Sequence, residues 1–354
     1  MSIKNFNPNA APTGSGIFGL PFTAKESYVH YLPVPWEATT SYGGGTSNGP
    51  AAILQASPQI DLFDHEVDRP YEVGYYLHTE AKQIRAWNKE AKANAQKIIA
   101  VAGEIKGKAM LKKALARVNE LSHKLNQFVY QEAKKILDQG KFLALIGGDH
   151  STPFGALRAI AEKHPSFGIL HFDAHSDTRC AYEGFTHSHA SIMYNILESI
   201  PQVKKLTQVA IRDLCEEEFT YTESQKQRVS VFFNSDLKQK KFSGQSWNNI
   251  SEEIVGTLPE KVWVSFDIDG LDPRFCPHTG TPVPGGLEFD EAIHIIRTLV
   301  RAKKTIIGFD LNEVAPAPDS KKTGDEWDAN VGSRLLYKLT AWSLASQGKV
   351  VLRK

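Results

Sequence analysis

Phe167-Gly168-Ile169-Leu170-His171-Phe172-Asp173-Ala174-His175-Ser176-Asp177 is the stretch on which the reading of this chain turns. Residues 167–172 form an apolar run of strand length, and the run passes into alternating acid, imidazole and acid. In an extended chain, residues two apart project to the same side. Asp173, His175 and Asp177 therefore leave one side of a strand end. Carboxylates converging at one spot repel each other, and one or two divalent cations are the simplest neutraliser. The competing reading is a set of caps and turn formers.

Two further clusters weigh against turn chemistry alone. Residues 141–146 have a buried-strand pattern that ends in Gly147-Gly148-Asp149-His150-Ser151. The glycines permit a sharp turn. Ser151-Thr152-Pro153 reads as a helix start, with a capping hydroxyl and a proline in the first turn. His150 then lies where a strand hands over to a helix. Residues 261–266 form another apolar run leading into Asp267-Ile268-Asp269-Gly270-Leu271-Asp272-Pro273. Asp267 and Asp269 share a side, whereas Asp272 reads as a turn residue.

In an open parallel sheet, the carboxyl ends of the strands gather in one crevice. The expected metal ligands are His150, Asp173, His175, Asp177, Asp267 and Asp269. Their four carboxylates balance two divalent cations. Mixed oxygen and imidazole donors suit manganese best, with iron, cobalt, nickel or zinc as alternatives. No cysteine joins the set, which argues against a structural zinc site. Strands alternate with helices from Val29 onward, which predicts an α/β fold with a mostly parallel sheet covered on both faces, a three-layer αβα sandwich.

Gly-Gly-Asp-His-Ser at 147–151, Asp-Ala-His-Ser-Asp at 173–177 and Ser-Phe-Asp-Ile-Asp-Gly-Leu-Asp-Pro at 265–273 resemble the three signatures of the ureohydrolases. That family includes arginase, agmatinase and related guanidino-compound hydrolases. The resemblance spans roughly residues 29 to 345. It implies an arginase-like fold and a binuclear site. His150, Asp173, Asp177 and Asp267 would bind one ion, and Asp173, His175, Asp267 and Asp269 the other. Hydroxide held between the ions would attack the guanidinium carbon, with Asp177 among the catalytic residues. Glu313, after the strand pattern at 307–312, matches the family glutamate that binds the guanidinium. His189 matches the histidine that passes protons to the leaving amine. The family has Gly after that histidine where this chain has Ala190, and His187 is a rival for the role. The family also implies a homo-trimer or homo-hexamer.

The composition excludes other classes. The chain has 354 residues, is 41% hydrophobic and 23% charged, and carries a net charge of +1. That balance offers no electrostatic footprint for nucleic acid or an anionic membrane. No apolar run reaches membrane-spanning length, and residues 1–9 lack the apolar core of a signal peptide. Cys180, Cys215 and Cys276 are too few and scattered for a disulfide framework. A cytoplasmic enzyme is expected. Residues 1–28 read as an extension, ordered only if something holds it, before a single domain at 29–354. Residues 80–139 read as two helices broken near Gly107.

Substrate choice rests on two loops. Arginases have an asparagine soon after the Asp-Ala-His-x-Asp motif, where this chain has Thr178-Arg179-Cys180. Arg179 would repel an α-ammonium group. In the loop 35–46, Trp36, Thr39, Thr40 and Tyr42 are candidates to line a small pocket, with an aromatic face for a guanidinium ion. Glu37 is the one carboxylate there that could meet an ammonium. The alternative makes Trp36 a core residue. The loop 35–46, together with the segment Tyr182-Glu-Gly-Phe-Thr-His-Ser-His-Ala-Ser191, is similar to the agmatinase-like branch that includes guanidine hydrolases, which can use nickel. The expected substrate is agmatine or free guanidine. A guanidino acid paired with Arg179, or arginine, ranks behind, and a metal-binding protein without catalysis is the non-enzyme alternative.

Overall fold

The structure, a computed structural model, describes residues 6–12 and 14–353. Residues 1–5 and 13 of the expected extension lie outside the described residues. One sheet holds eight strands: β1 Val29–Val34, β2 Tyr75–Leu77, β3 Phe142–Gly147, β4 Phe167–Phe172, β5 Val203–Ile211, β6 Val229–Phe233, β7 Lys261–Asp267 and β8 Thr305–Asn312. Their order is β2-β1-β3-β8-β7-β4-β5-β6, and every neighbouring pair is parallel. Parallel neighbours need crossovers, and helices supply most of them. The helices are α1 Gly49–Ala56, α2 Lys82–Ile99, α3 Ala109–Asp138, α4 Phe154–Lys163, α5 Ile192–Ser199, α6 Glu216–Ser224, α7 Asn234–Phe242, α8 Trp247–Gly256, α9 Phe289–Arg301, α10 Ser320–Thr323 and α11 Trp327–Ser346.

Successive strand residues enter opposite layers. Ala144, Ile146, Leu170, Phe172, Val264 and Phe266 pack with Ile53, Ile254, Ile296 and Leu335 from α1, α8, α9 and α11. Leu143, Leu145, Ile169 and Trp263 pack with Ala91, Val129, Leu157 and Ile196 from α2 to α5. These two cores make the three-layer sandwich that the alternation of elements predicted. Helices α2 and α3 are separated by a turn in which Gly103 and Gly107 hold φ of 76° and 77°. No described helix is long and apolar enough to cross a membrane.

Two expectations need correction. Helix α4 begins at Phe154, with Pro153 at the cap and no capping side chain. The Ser151 hydroxyl donates instead to Asp149, and the Thr152 hydroxyl donates to Asn312 at 2.9 Å. These hydroxyls serve the strand ends rather than the helix. The N-terminal segment also has more structure than its composition suggested. Ile17, Phe18 and Leu20 are buried in the main core. The Phe18 amide donates to Ser57 Oγ at 2.8 Å, and its ring meets Tyr337 edge-on at 5.3 Å. Three apolar residues are too few to show a period, so only the fold reveals that this segment is docked. Phe18→Ala is expected to cost about 3–5 kcal/mol, the usual penalty for deleting a buried aromatic ring. Denaturant unfolding measures it, and a loss below about 1 kcal/mol would place residues 17–20 outside the cooperative core.

Candidate active site

Strands β3, β8, β7 and β4 lie side by side and end on one edge of the sheet. β3 runs into Gly148-Asp149-His150, β4 into Asp173, β7 ends at Asp267 and β8 leads to Glu313. The turn after β3 needs glycine, because a Cβ on Gly148 would stand 1.9 Å from the Trp36 carbonyl oxygen. Beyond β7, the short turn Ile268–Gly270 carries Asp269, whose amide donates to Asp267 Oδ1 at 2.9 Å.

This arrangement brings the six expected ligands together. His150 Nδ1 lies 3.0 Å from Asp173 Oδ2, 3.3 Å from Asp177 Oδ2 and 3.3 Å from Asp267 Oδ2. His175 Nδ1 lies 3.1 Å from Asp269 Oδ2 and 3.4 Å from Asp173 Oδ1. Asp173 thus turns one oxygen to each imidazole and stands between two donor groups. One comprises His150, His171, Asp173 and Asp177, and the other Asp173, His175 and Asp269. All but His175 are buried.

Sequence reading missed the layer beneath. His171, Ser265 and Asp310 are cross-strand neighbours on β4, β7 and β8. His171 Nε2 donates to Asp173 Oδ2 at 2.8 Å, while Gln208 donates to its Nδ1 at 3.1 Å. Ser265 donates to Asp310 Oδ1 at 2.8 Å, which leaves its oxygen to accept from His150 Nε2 at 2.9 Å. The Trp263 indole also donates to Asp310. The signal was present: each residue is a polar side chain inside a largely apolar strand, two places before Asp173, Asp267 or Asn312. Buried polar groups of that kind need partners.

This layer decides what His150 can do. With Nε2–H committed to Ser265, Nδ1 is the ring nitrogen that faces the three carboxylates and is the one a cation could engage. Burial, and then Asp269 and Asp173, hold the Asp267 carboxyl well above the usual range. Burial and Asp173 push Asp177 up to about 7. Burial opposes the charging of His150 and His175, yet the surrounding carboxylates raise both imidazoles well above the ordinary value. These groups collect protons because positive charge is needed among them. The donor set therefore fits divalent cations, and it has the oxygen and nitrogen chemistry of manganese or nickel sites.

The other expected residues divide. Glu313, in the left-handed region at φ 61°, is buried and accepts from the His150 amide at 3.0 Å through Oε1. Its Oε2 is buried without a hydrogen-bond partner among the described residues. Asp177 also holds a left-handed φ of 56°. His189 lines a cleft of about 90 Å³ with His175, Asp177, Arg179, Asp213, Glu218 and Thr281. His187 turns away and packs its ring 5.2 Å from Phe154. Burial, then repulsion from His175, lowers His189 to about 4. The Thr39 hydroxyl lies 3.5 Å from His189 Nδ1. Arg179 lies over the Tyr182 ring and pairs with Glu218 at 3.4 Å.

Trp36 is not a pocket wall. Its indole is fully enclosed with Leu32, Val34 and Ala38, because β1 is still covered by helices where the loop begins. Tyr42 is almost entirely exposed at the loop tip. Glu37 is not available to an ammonium, since Gly45 N, Ser47 N and Lys92 engage its carboxylate.

The same residues carry the comparison with known proteins. The model of the arginase family matches residues 27–341. The chain belongs to the arginase family. It is 32% identical to an N(1)-aminopropylagmatine ureohydrolase of Synechocystis sp., over 97% of this chain and 99% of that protein. It is 30% identical to an agmatinase of Salmonella paratyphi B, over 86% of this chain and 85% of the relative. The crystal structure of agmatine ureohydrolase of Thermoplasma volcanium superposes with a TM-score of 0.69 at 20% identity, over 98% of each chain, which speaks to the fold. The chain is a hydrolase of C–N bonds in linear amidines. The family depends on a binuclear metal centre, and the His/Asp cluster described above is present here.

Ser265→Ala would free His150 to change tautomer without removing a ligand. It is expected to weaken divalent-cation affinity by about 10- to 100-fold, as outer-shell substitutions do. Metal titration by calorimetry reads this, and unchanged affinity would mean that Ser265 does not orient His150.

Proposed function

We propose that this chain releases urea from a small linear guanidino compound of the agmatine class, using two divalent ions. His150, Asp173, Asp177 and Asp267 would hold one ion, and Asp173, His175, Asp267 and Asp269 the other, manganese first and nickel second. Bound ions supply Lewis acidity and lower the pKa of water towards neutrality. The observation that carries the reading is the free, buried Oε2 of Glu313 beside that cluster.

A carboxylate oxygen without a partner in a closed site calls for a donor. Burial, then Asp267 and Asp149, push the Glu313 carboxyl well above its ordinary range, so a cation arriving there is favoured. A guanidinium brings both the charge and parallel N–H groups. His189, kept neutral at neutral pH by its lowered pKa, is able to accept a proton and pass it to the departing nitrogen. Addition of water to the guanidinium carbon, with one of its protons passed to the departing nitrogen, breaks the C–N bond and gives urea and the free amine.

The cleft bears on the choice of substrate. At about 90 Å³, it is a small cleft, on the scale of a guanidinium-sized group. Asp213 is exposed and lines the cleft, where it suits the ammonium of an amine tail. An α-amino acid head brings a carboxylate as well as an ammonium, and Arg179 on the cleft wall is already paired with Glu218. Agmatine or aminopropylagmatine fits this pattern, and the small cleft favours free guanidine as the second reading. A short guanidino acid, with Arg179 as its counter-ion, stands third, and L-arginine last. A trimer or a pair of trimers is part of the same proposal, readable by light scattering.

Urea release across agmatine, N(1)-aminopropylagmatine, guanidine, a guanidino acid and L-arginine tests the proposal. The expected kcat/KM for the best amine or guanidine is at least about tenfold above that for arginine, because an unpaired buried charge costs well over 1 kcal/mol. Arginine leading by that margin would overturn the substrate reading. No urea from any of them at full metal load would leave a metal-binding protein. Glu313→Gln keeps the shape and loses the charge. Its activity is expected to fall on the order of a hundredfold with metal content unchanged, and metal loss in that variant would move Glu313 into the ligand set.

A further inference from the structure

Helices α2 and α3 supply none of the candidate ligands, yet they touch both loops that flank the cleft. On α2, the Asn88 side-chain oxygen accepts from the Glu37 amide at 2.8 Å, and Lys92 pairs with Glu37 Oε1. The other oxygen, Glu37 Oε2, accepts from Gly45 N at 2.6 Å and Ser47 N at 3.0 Å. The buried Glu37 carboxylate therefore ties α2 to the glycine turn. On α3, Asn119 Nδ2 donates to the Gly184 carbonyl at 3.1 Å, and its Oδ1 accepts from the Thr186 amide at 3.1 Å. Between those contacts, Phe185 is fully buried among Ala95, Ile98, Ala114 and Val118 of the two helices. The two tethered segments meet at one point. Thr39 Oγ1 accepts from the His189 amide at 3.4 Å and lies 3.5 Å from His189 Nδ1.

We propose that the α2–α3 hairpin is a positioning clamp. Lys92, through Glu37, and Asn119 hold the 37–47 and 183–189 segments at a set separation, and the Thr39–His189 contact orients the imidazole in the cleft. Lys92 and Asn119 are positioning residues: neither lines the cleft with His189. The Asn119 bond to Thr186 lies at the surface. Such a bond does little for global stability but governs where a short loop rests. The inference uses the proposed function only for its activity readout.

The test compares wild type, Lys92→Met, Asn119→Ala and the double variant, each loaded with manganese. Arg117→Ala is the control. It severs the exposed Arg117–Glu90 pair between the helices without touching either loop. Hydrogen exchange is read at 43–47 and 183–189, and urea release from agmatine or guanidine gives kcat and KM. Each single variant is expected to speed exchange in its own segment and also at the His189 amide. Each should lower kcat by about tenfold with metal content unchanged, and the double variant should fall well short of about a hundredfold, because one shared contact is lost once. Lys92→Arg should restore most of the activity, and Arg117→Ala should stay within about twofold. His189 exchange unchanged in both single variants, a multiplicative double variant, or an equal loss in Arg117→Ala would overturn the clamp. If wild type releases no urea, the function reading fails, while the exchange data still decide the clamp.

Discussion

Repulsion among buried carboxylates is the constraint on which this structure depends. Asp173, Asp177, Asp267, Asp269 and Glu313 crowd one edge of the sheet, in a setting where each would be protonated or paired. The fold keeps them there by giving each strand end an internal support. Asp173 leans on His171, Asp267 caps the turn that carries Asp269, and His150 leans on Ser265 and, through it, Asp310. Four adjacent parallel strands are what make those supports neighbours. Had β3 and β8 been separated, Glu313 would not reach the amide of His150. The left-handed backbone of Asp177 and Glu313 belongs to the same design, since strain of that kind persists where the surroundings over-determine the conformation.

The charges also set the division of labour in the cleft. The innermost carboxylates face imidazoles, whereas Glu313 Oε2 and Asp149 Oδ2 are buried without a hydrogen-bond partner among the described residues. His189 stands beside His175 and is held neutral by burial and that neighbour. Further out, Arg179 and Glu218 neutralise one another, which leaves Asp213 exposed on the cleft wall. Glu313, with a free oxygen beside the cluster, and Asp213 on the cleft wall are the two acceptors on which the proposed recognition of a guanidino amine rests.

The metal-ligand candidates were legible because their physics is local. Asp173, His175 and Asp177 follow an apolar strand with a spacing of two, although β4 ends at Phe172 and Asp177 reaches the cluster from a left-handed backbone rather than by strand alternation. The supports His171, Ser265 and Asp310 were in plain view as polar residues within largely apolar strands, but nothing local says which residue faces which across the sheet. Trp36 and Glu37 misled for a related reason. An aromatic and an acid in a glycine-rich loop look available until the packing encloses the one and the backbone amides of Gly45 and Ser47 engage the other.

Sequence alone determined the α/β class, the strand ends that bear the candidate ligands and the family. Each follows from short-range periodicity and from motifs whose residues are close in the chain. Tertiary structure decided the strand order β3-β8-β7-β4, the docking of Ile17–Gly19 into the core and the choice of His189 over His187 as the imidazole in the cleft. It also decided the grip of α2 and α3 on both loops. Those features depend on contacts between residues up to some three hundred positions apart, such as Phe18 with Tyr337. No local pattern encodes such a contact, because the energy that selects it exists only once both partners have been desolvated together.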